Sequence, residues 1–279
     1  MGVMTLVEAG QVRLDDHIGA YLNNLPANWR EITIRQLLGH TSGLPDVIDG
    51  ASEPLAATPE EALRLLEAKP MDFVPGSKWA YNQTNYLLLS LMIEKVSGEP
   101  FEKFCKMRLF APLNLTTPSF GLQRVIEHRA SLYTDIIPNS GPPPKHLDHL
   151  ELSTGKMVPM LYSAGGLNIS IEDFAHWLIA VLDGKIISRA SLETLWTPAP
   201  LSDGSRFENY GLGWWLVPRG SHPEAGGNGG ARAAFAVYRQ DDLAVVVVTN
   251  LQGSEATSLV EGVAKKYLQR SLKWPSAVP

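Results

Sequence analysis

Cysteine is almost missing from this chain: Cys105 is the only one among 279 residues. A single thiol closes no internal disulfide and anchors no thiolate metal cluster, so it reads as core filler. Positive charge is not in excess either. Twenty-four Lys and Arg stand against 29 Asp and Glu, a net charge of -5 at pH 7, without the basic footprint that nucleic-acid phosphates demand. No apolar run approaches the ~18 residues of a membrane-spanning helix, and the first residues have neither the basic nor the apolar region of a signal peptide. The chain therefore reads as soluble, without a nucleic-acid or membrane partner. It is cytoplasmic if Met1 is the true start; otherwise its compartment is open.

What is present is an ordinary globular composition. Apolar residues make up 44% and charged residues 19%, enough to bury a core and unlike a disordered chain. Val3, Leu6 and Val7 have helical spacing, and Gly10 follows as a stop signal. That helix opens without a capping residue, so its beginning is expected upstream. Thr33 opens a helix over 33–40, and Thr58 with Pro59 and Glu61 forms a capping box for the next. Residues 84–96 make a largely buried helix ending at Ser97-Gly98, and 101–107 a short one. From about 111 to 162 the pattern is irregular and Pro-rich, including Gly141-Pro-Pro-Pro144, and reads as a surface excursion over a site. Ser170 with Asp173 starts a helix running to Gly184, and Ser188 starts another that ends at Trp196.

The last third changes character. Residues 210–217, 231–239 and 243–249 are short and rich in β-branched or aromatic side chains, and Gln240-Asp241-Asp242 joins the last two as an antiparallel hairpin. Leu259, Val263 and Tyr267 give the final helix an apolar stripe that would cover one face of the sheet. Helices followed by antiparallel strands indicate an α+β fold, not an alternating βαβ one. The expectation is one domain over 1–279, with a helical lobe at about 15–200 and a sheet with its C-terminal helix at about 205–272.

Several loops carry chemistry-bearing residues. Tyr81-Asn82-Gln83 precedes a helix, where a phenol could shuttle protons or simply sit at the core edge. His40-Thr41-Ser42-Gly43 follows the Thr33 helix, and Ser163-Ala-Gly-Gly-Leu167 precedes the Ser170 helix. Together with LVEAGQVRLDD at 6–16, residues 75–86, Tyr210-Gly-Leu-Gly-Trp214 and the Gly-rich run into 226–250, their order resembles the serine β-lactamase and penicillin-binding-protein superfamily, especially its class C-related esterases, D-aminopeptidases and β-lactamases.

That resemblance implies a β-lactamase-like fold, an antiparallel sheet flanked by helices plus a helical lobe. It implies hydrolysis of a small ester or amide through a serine acyl-enzyme, without a metal or other cofactor. Tyr81 matches the family's tyrosine, which exchanges the nucleophile's proton. Gln83 stands where Asn is usual and can still offer an amide to a substrate carbonyl. Glu224-Ala225-Gly226 stands where the family has Lys or His, then Thr, then Gly. A carboxylate there disfavours anionic, penicillin-like substrates, unless Glu224 only points to solvent. Gly227 would donate an oxyanion-binding N–H, and the glycines from 226 to 230 suit close ligand approach or a plain strand-entry turn.

The family's S-x-x-K would begin the helix whose tail is Val3 to Val7, so the serine, its lysine and two strands are expected upstream of Met1. A pseudoenzyme or truncated remnant that keeps a binding cleft is the alternative. Ser153-Thr-Gly-Lys156 fits S-x-x-K literally but has Gly inside its turn and no helical pattern after it. His40 reads as a structural helix C-cap. His146-Leu-Asp-His149 could offer metal ligands, but surface loop residues suit its surroundings better.

Overall fold

Capping chemistry decides where half of the helices begin. The computed structural model describes residues 1–48, 56, 58–121, 128–137, 140, 143, 145–153, 158–230 and 232–268. Its helices are α1 (Gly2–Glu8), α2 (Ala27–Arg30), α3 (Ile34–Leu38), α4 (Pro59–Glu67), α5 (Gln83–Ser97), α6 (Phe101–Cys105), α7 (Tyr162–Gly165), α8 (Ile171–Leu182), α9 (Arg189–Leu195) and α10 (Ala256–Tyr267). The Thr33 hydroxyl accepts from the Gln36 N–H at 3.2 Å while the Gln36 side chain accepts from the Thr33 N–H at 2.9 Å. This reciprocal box satisfies two end donors of α3. Thr58, Asn82, Ser170 and Ser188 cap α4, α5, α8 and α9 with their side-chain oxygens alone, so the box expected at Thr58 and Glu61 shows only its forward bond. Helix α6 is shorter than its periodicity suggested: Lys106–Phe110 form a π-type turn and Ala111–Leu113 a 3-10 turn.

The strands are β1 (Ser119–Phe120), β2 (Tyr133–Ile136), β3 (His146–Leu152), β4 (Leu167–Asn168), β5 (Trp215–Val217), β6 (Glu224–Gly229), β7 (Ala233–Tyr238), β8 (Leu243–Val248) and β9 (Leu251–Gln252). The chain divides into two compact units, one of Met1–Arg124 with Lys156–Gly213 and one of Val125–Gly155 with Trp214–Pro279.

The first unit is built on α5, whose Leu87, Leu88, Leu89, Met92 and Ile93 are buried and against which α1, α3, α6 and α7 pack. A helix apolar on several faces belongs inside, and this one has neighbours all round. Strands β1 and β4 form a short antiparallel pair in this unit.

The second unit holds an antiparallel sheet in the order β5-β6-β7-β8 and a smaller one in the order β3-β2-β9. Tyr238 pairs with Leu243 across the Gln240 turn, as the hairpin pattern predicts. Three expectations change here. Residues 146–152 are not loop: they pair antiparallel with β2, which pairs parallel with β9. Their side chains are mostly exposed, so no apolar alternation announces the strand. Gly141, Pro142 and Pro144 lie outside the described residues. In α10, Leu259, Val263 and Tyr267 are exposed, and the face on the sheet is Ala256, Val260 and Ala264 with Leu268, packed on Ala234, Ala236, Tyr238 and Val245. Small side chains let helix and sheet approach closely, and the larger residues one position away turn outward. Residues 210–214 are not strand either; only Trp215–Val217 pair with β6. Among the described residues no helix is long and apolar enough to cross a membrane.

Candidate functional site

In the first unit the chain after α3 is laced to the chain before α5. Gly39 caps α3, His40 follows with φ 56°, and the Thr41 N–H returns to the Gln36 carbonyl at 2.9 Å while the His40 N–H returns to Leu37 at 3.3 Å. These are the two bonds of a Schellman ending, with histidine at the left-handed position that glycine usually takes. His40 is therefore one residue beyond the cap position the sequence suggested. Gly43 has φ 70°, and a Cβ there would lie 2.0 Å from the Phe73 carbonyl oxygen, so no larger residue fits.

Hydrogen bonds then tie 40–46 to 80–85. Asn82 Nδ2 donates to the Leu44 carbonyl at 2.6 Å, Thr84 Oγ1 to Pro45 at 2.8 Å and Ser42 Oγ to Asn85 Oδ1 at 2.5 Å. The Gln83 N–H donates to Asp46 Oδ1 at 3.1 Å. Buried polar groups of this kind must be paired to be tolerated, and here each pairing fixes the start of α5.

Tyr81 stands at that start, with its ring centroid 4.3 Å from that of His40. The residue remains 47% exposed, so it is anchored yet reachable. Partial burial raises its pKa, the Gln83 side chain lowers it and the charge of Asp46 raises it again. Burial also lifts the Asp46 carboxyl, with Asp72 adding to the effect. His40 has no exposed surface, and burial lowers its pKa to about 3, so it is neutral. Tyr86 and Tyr210 complete the aromatic wall at 5.2 and 5.1 Å from the imidazole, and burial raises both phenols well above the ordinary range. Gln83 Oε1 is buried without a hydrogen-bond partner among the described residues. It is a carbonyl, so it seeks a donor, while the same side chain's amide group supports Tyr81.

In the second unit Glu224, Gly226 and Gly227 lie on β6. The Glu224 carboxylate is 7% exposed and accepts from Arg219 Nε at 2.6 Å, and Arg219 Nη2 also pairs with Glu261 of α10. Glu224 thus neither points to solvent nor offers a free charge. A Cβ on Gly226 would lie 2.2 Å from the Phe235 carbonyl oxygen, and one on Gly227 would lie 2.8 Å from the Phe235 ring. The close approach that these glycines permit is that of β7. Gly226 is the last β6 residue paired with β5, and Gly227 pairs only with Phe235 of β7.

The remaining sequence candidates separate from this chemistry. Ser153 Oγ donates to Gln252 Oε1 at 3.5 Å, while Thr154, Gly155 and Lys156 lie outside the described residues. His146 pairs with Asp135 at 2.9 Å and His149 with Asp148 at 2.7 Å on exposed strand β3. Among the described residues no group of three metal-ligating side chains gathers. A cavity of about 300 Å³ in the first unit is lined by Leu89, Ile93, Phe101, Phe120, Phe174 and Trp177. Its wall is mainly apolar, fit for a greasy group and not for proton transfer. Sequence reasoning missed Asp46, Asn85 and Tyr210. Asn85 left a signal, a polar residue in a helix most of whose buried positions are apolar.

Comparison with known proteins gives the family and the fold. The family model described as beta-lactamase matches residues 1–267. A putative penicillin-binding protein, PbpX, of Bacillus subtilis (strain 168) is 28% identical over 255 residues, covering 90% of this chain and 59% of its own length. The chain spans about half to three-fifths of the length of the curated relatives it matches first. Among solved structures, a penicillin-binding protein from Bacillus halodurans has a TM-score of 0.76 at 24% identity, covering 94% of this chain and 80% of that one. A D-stereospecific amidohydrolase from Streptomyces sp. has a TM-score of 0.76 at 22% identity, covering 94% and 82%. At such identities these two likenesses concern the fold, and they match the mixed helix and sheet architecture described above. With its family model spanning nearly the whole sequence, the chain belongs to the beta-lactamase family of serine hydrolases and penicillin-binding proteins.

Proposed function

We propose that this chain supplies the proton-transfer and substrate-binding residues of a serine hydrolase that cleaves ester or amide bonds through an acyl-enzyme. The observation that carries this is Tyr81, a reachable phenol whose neighbouring residues Ala80 and Asn82 are bonded to a buried neutral histidine. In the proposed cycle a serine hydroxyl gives up its proton toward Tyr81 and a lysine, the acyl group moves to the serine, and water releases it. The serine and lysine are assigned, by family pattern, to sequence ahead of α1 and not to Ser153. By family pattern, Gln83 offers its amide to a substrate carbonyl and the Gly227 N–H serves as an oxyanion donor. At residue 224 one guanidinium faces two carboxylates, so that position presents no cation, and neutral esters or amides are favoured over anionic, penicillin-like substrates.

The alternative is a protein that binds ligands without turning them over. It is favoured by the same Glu224, which replaces a functional cation with a structural ion pair. A fluorophosphonate probe and short-chain nitrophenyl esters separate the two, with intact-mass analysis of the protein expressed at its full genomic length. Covalent labelling with turnover, and a fall of about a hundredfold or more in kcat on Tyr81→Phe, support the hydrolase. Ligand binding with no labelling and no turnover supports the alternative.

A further inference from the structure

We infer that His40 is the residue that positions Tyr81 for proton transfer, a role that rests on the hydrolase reading of this site. One residue brackets the tyrosine from both sides. The His40 carbonyl accepts from the Ala80 N–H at 3.0 Å, and His40 Nδ1 accepts from the Asn82 N–H at 3.2 Å. The imidazole itself lies against the Tyr81 ring, with centroids 4.3 Å apart. The residues before and after Tyr81, Ala80 and Asn82, are thus held by a single anchor, which limits how far the loop carrying the phenol can move.

The tautomer follows from the chain. A backbone N–H can only donate, so Nδ1 is the acceptor and the ring proton sits on Nε2. Asn85 Nδ2 lies 3.0 Å from the same Nδ1, and its Oδ1 accepts from Ser42, which fixes the amide's orientation. Burial keeps the ring neutral down to about pH 3, so the acceptor persists wherever an enzyme works.

Ending a helix does not require any of this. Glycine takes the left-handed position after α5, and it would do so after α3 without strain. The chain places Gly39 one residue early and puts a side chain at φ 56° instead. That side chain is fully buried, and its Nε2 has no hydrogen-bond partner among the described residues. Strain and an unpaired donor coincide at one residue, a combination that persists where the surroundings over-determine the geometry for a purpose.

The test compares His40→Gly, which relieves the strain but removes the ring, with His40→Asn, which tolerates left-handed backbone and returns an acceptor near the Nδ1 position. Protein of full genomic length is labelled with 3-fluorotyrosine, the Tyr81 signal is assigned with Tyr81→Phe, and its phenol is titrated by 19F NMR beside ester turnover. In His40→Gly the Tyr81 titration should fall by about half a unit or more toward that of the free amino acid as the phenol becomes solvated. Its kcat should drop about tenfold or more with KM nearly unchanged. His40→Asn should restore most of both. A His40→Gly protein with wild-type titration and wild-type kcat would overturn the inference, as would His40→Asn failing as badly as His40→Gly while still folded. If Tyr81→Phe retains turnover, the hydrolase roles are wrong, and the titration still decides whether His40 holds Tyr81.

Discussion

Tyr81 keeps its proton at neutral pH, because partial burial and the nearby Asp46 both oppose the phenolate. To accept a proton from a serine it needs a cation beside it, and its first-unit neighbours are a neutral imidazole and a carboxylate. The lysine of the family's S-x-x-K pair has the charge that would do this. His40 has its own signature in stability. Its imidazole binds a proton below about pH 6.5 when unfolded and only near pH 3 when folded, so the unfolded state holds more protons across that window. Stability therefore falls on acidification, by about 1.4 kcal/mol per pH unit from this residue. Urea unfolding at pH 7 and pH 5 should show the loss, and His40→Asn should show a smaller one. Equal losses in both proteins would place the acid sensitivity elsewhere.

At the scale of elements, caps and small side chains decide the outcome. Thr33→Ala removes a reciprocal box and should cost about 1 kcal/mol in denaturant unfolding, with the fold retained. On α10, Ala264 has no exposed surface against the sheet, so Ala264→Leu should overpack that face and cost about 1–3 kcal/mol. Leu259→Ala on the exposed stripe of the 279-residue chain should cost much less, within about 0.5 kcal/mol. The helix starts at Thr33, Thr58, Ser170 and Ser188 were legible because a cap is a local hydrogen bond between residues three apart. The buried face of α10 was not, since apolar size points to Leu259 and Val263 while the sheet selects alanines that let it come close. Strand β3 was hidden because its own side chains face solvent, so no apolar alternation marks it, and the sheet it joins through β2 is completed by β9 from far along the chain.

Across the molecule, each unit has its own polar organiser, the His40 to Asn85 lacing in the first and the Arg219 cluster in the second. Arg219 is buried between Glu224 of β6 and Glu261 of α10, tying strand to helix. Arg219→Ala leaves the buried Glu224 and the part-buried Glu261 without this partner and should destabilise the protein by about 3–5 kcal/mol in denaturant titration. Replacing Arg219 and Glu224 together with Met and Leu should recover much of that loss, whereas an unrecovered double variant would show that the pair is not the cause.

The amino-acid sequence by itself determined the α+β class, the caps that start the helices, the Gln240 hairpin and the family to which the ordered loops point. Those features depend on neighbours a few residues apart, or on the order of whole segments, and both are written along the chain. Only the tertiary structure decided that His40 brackets Tyr81, that Asp46 and Asn85 join them, and that Glu224 is bound to Arg219. His40 and Asn82 are separated by 42 residues and Glu224 and Glu261 by 37. Which polar groups meet over such distances is set by how apolar surfaces pack, and a linear pattern of residue types does not contain it.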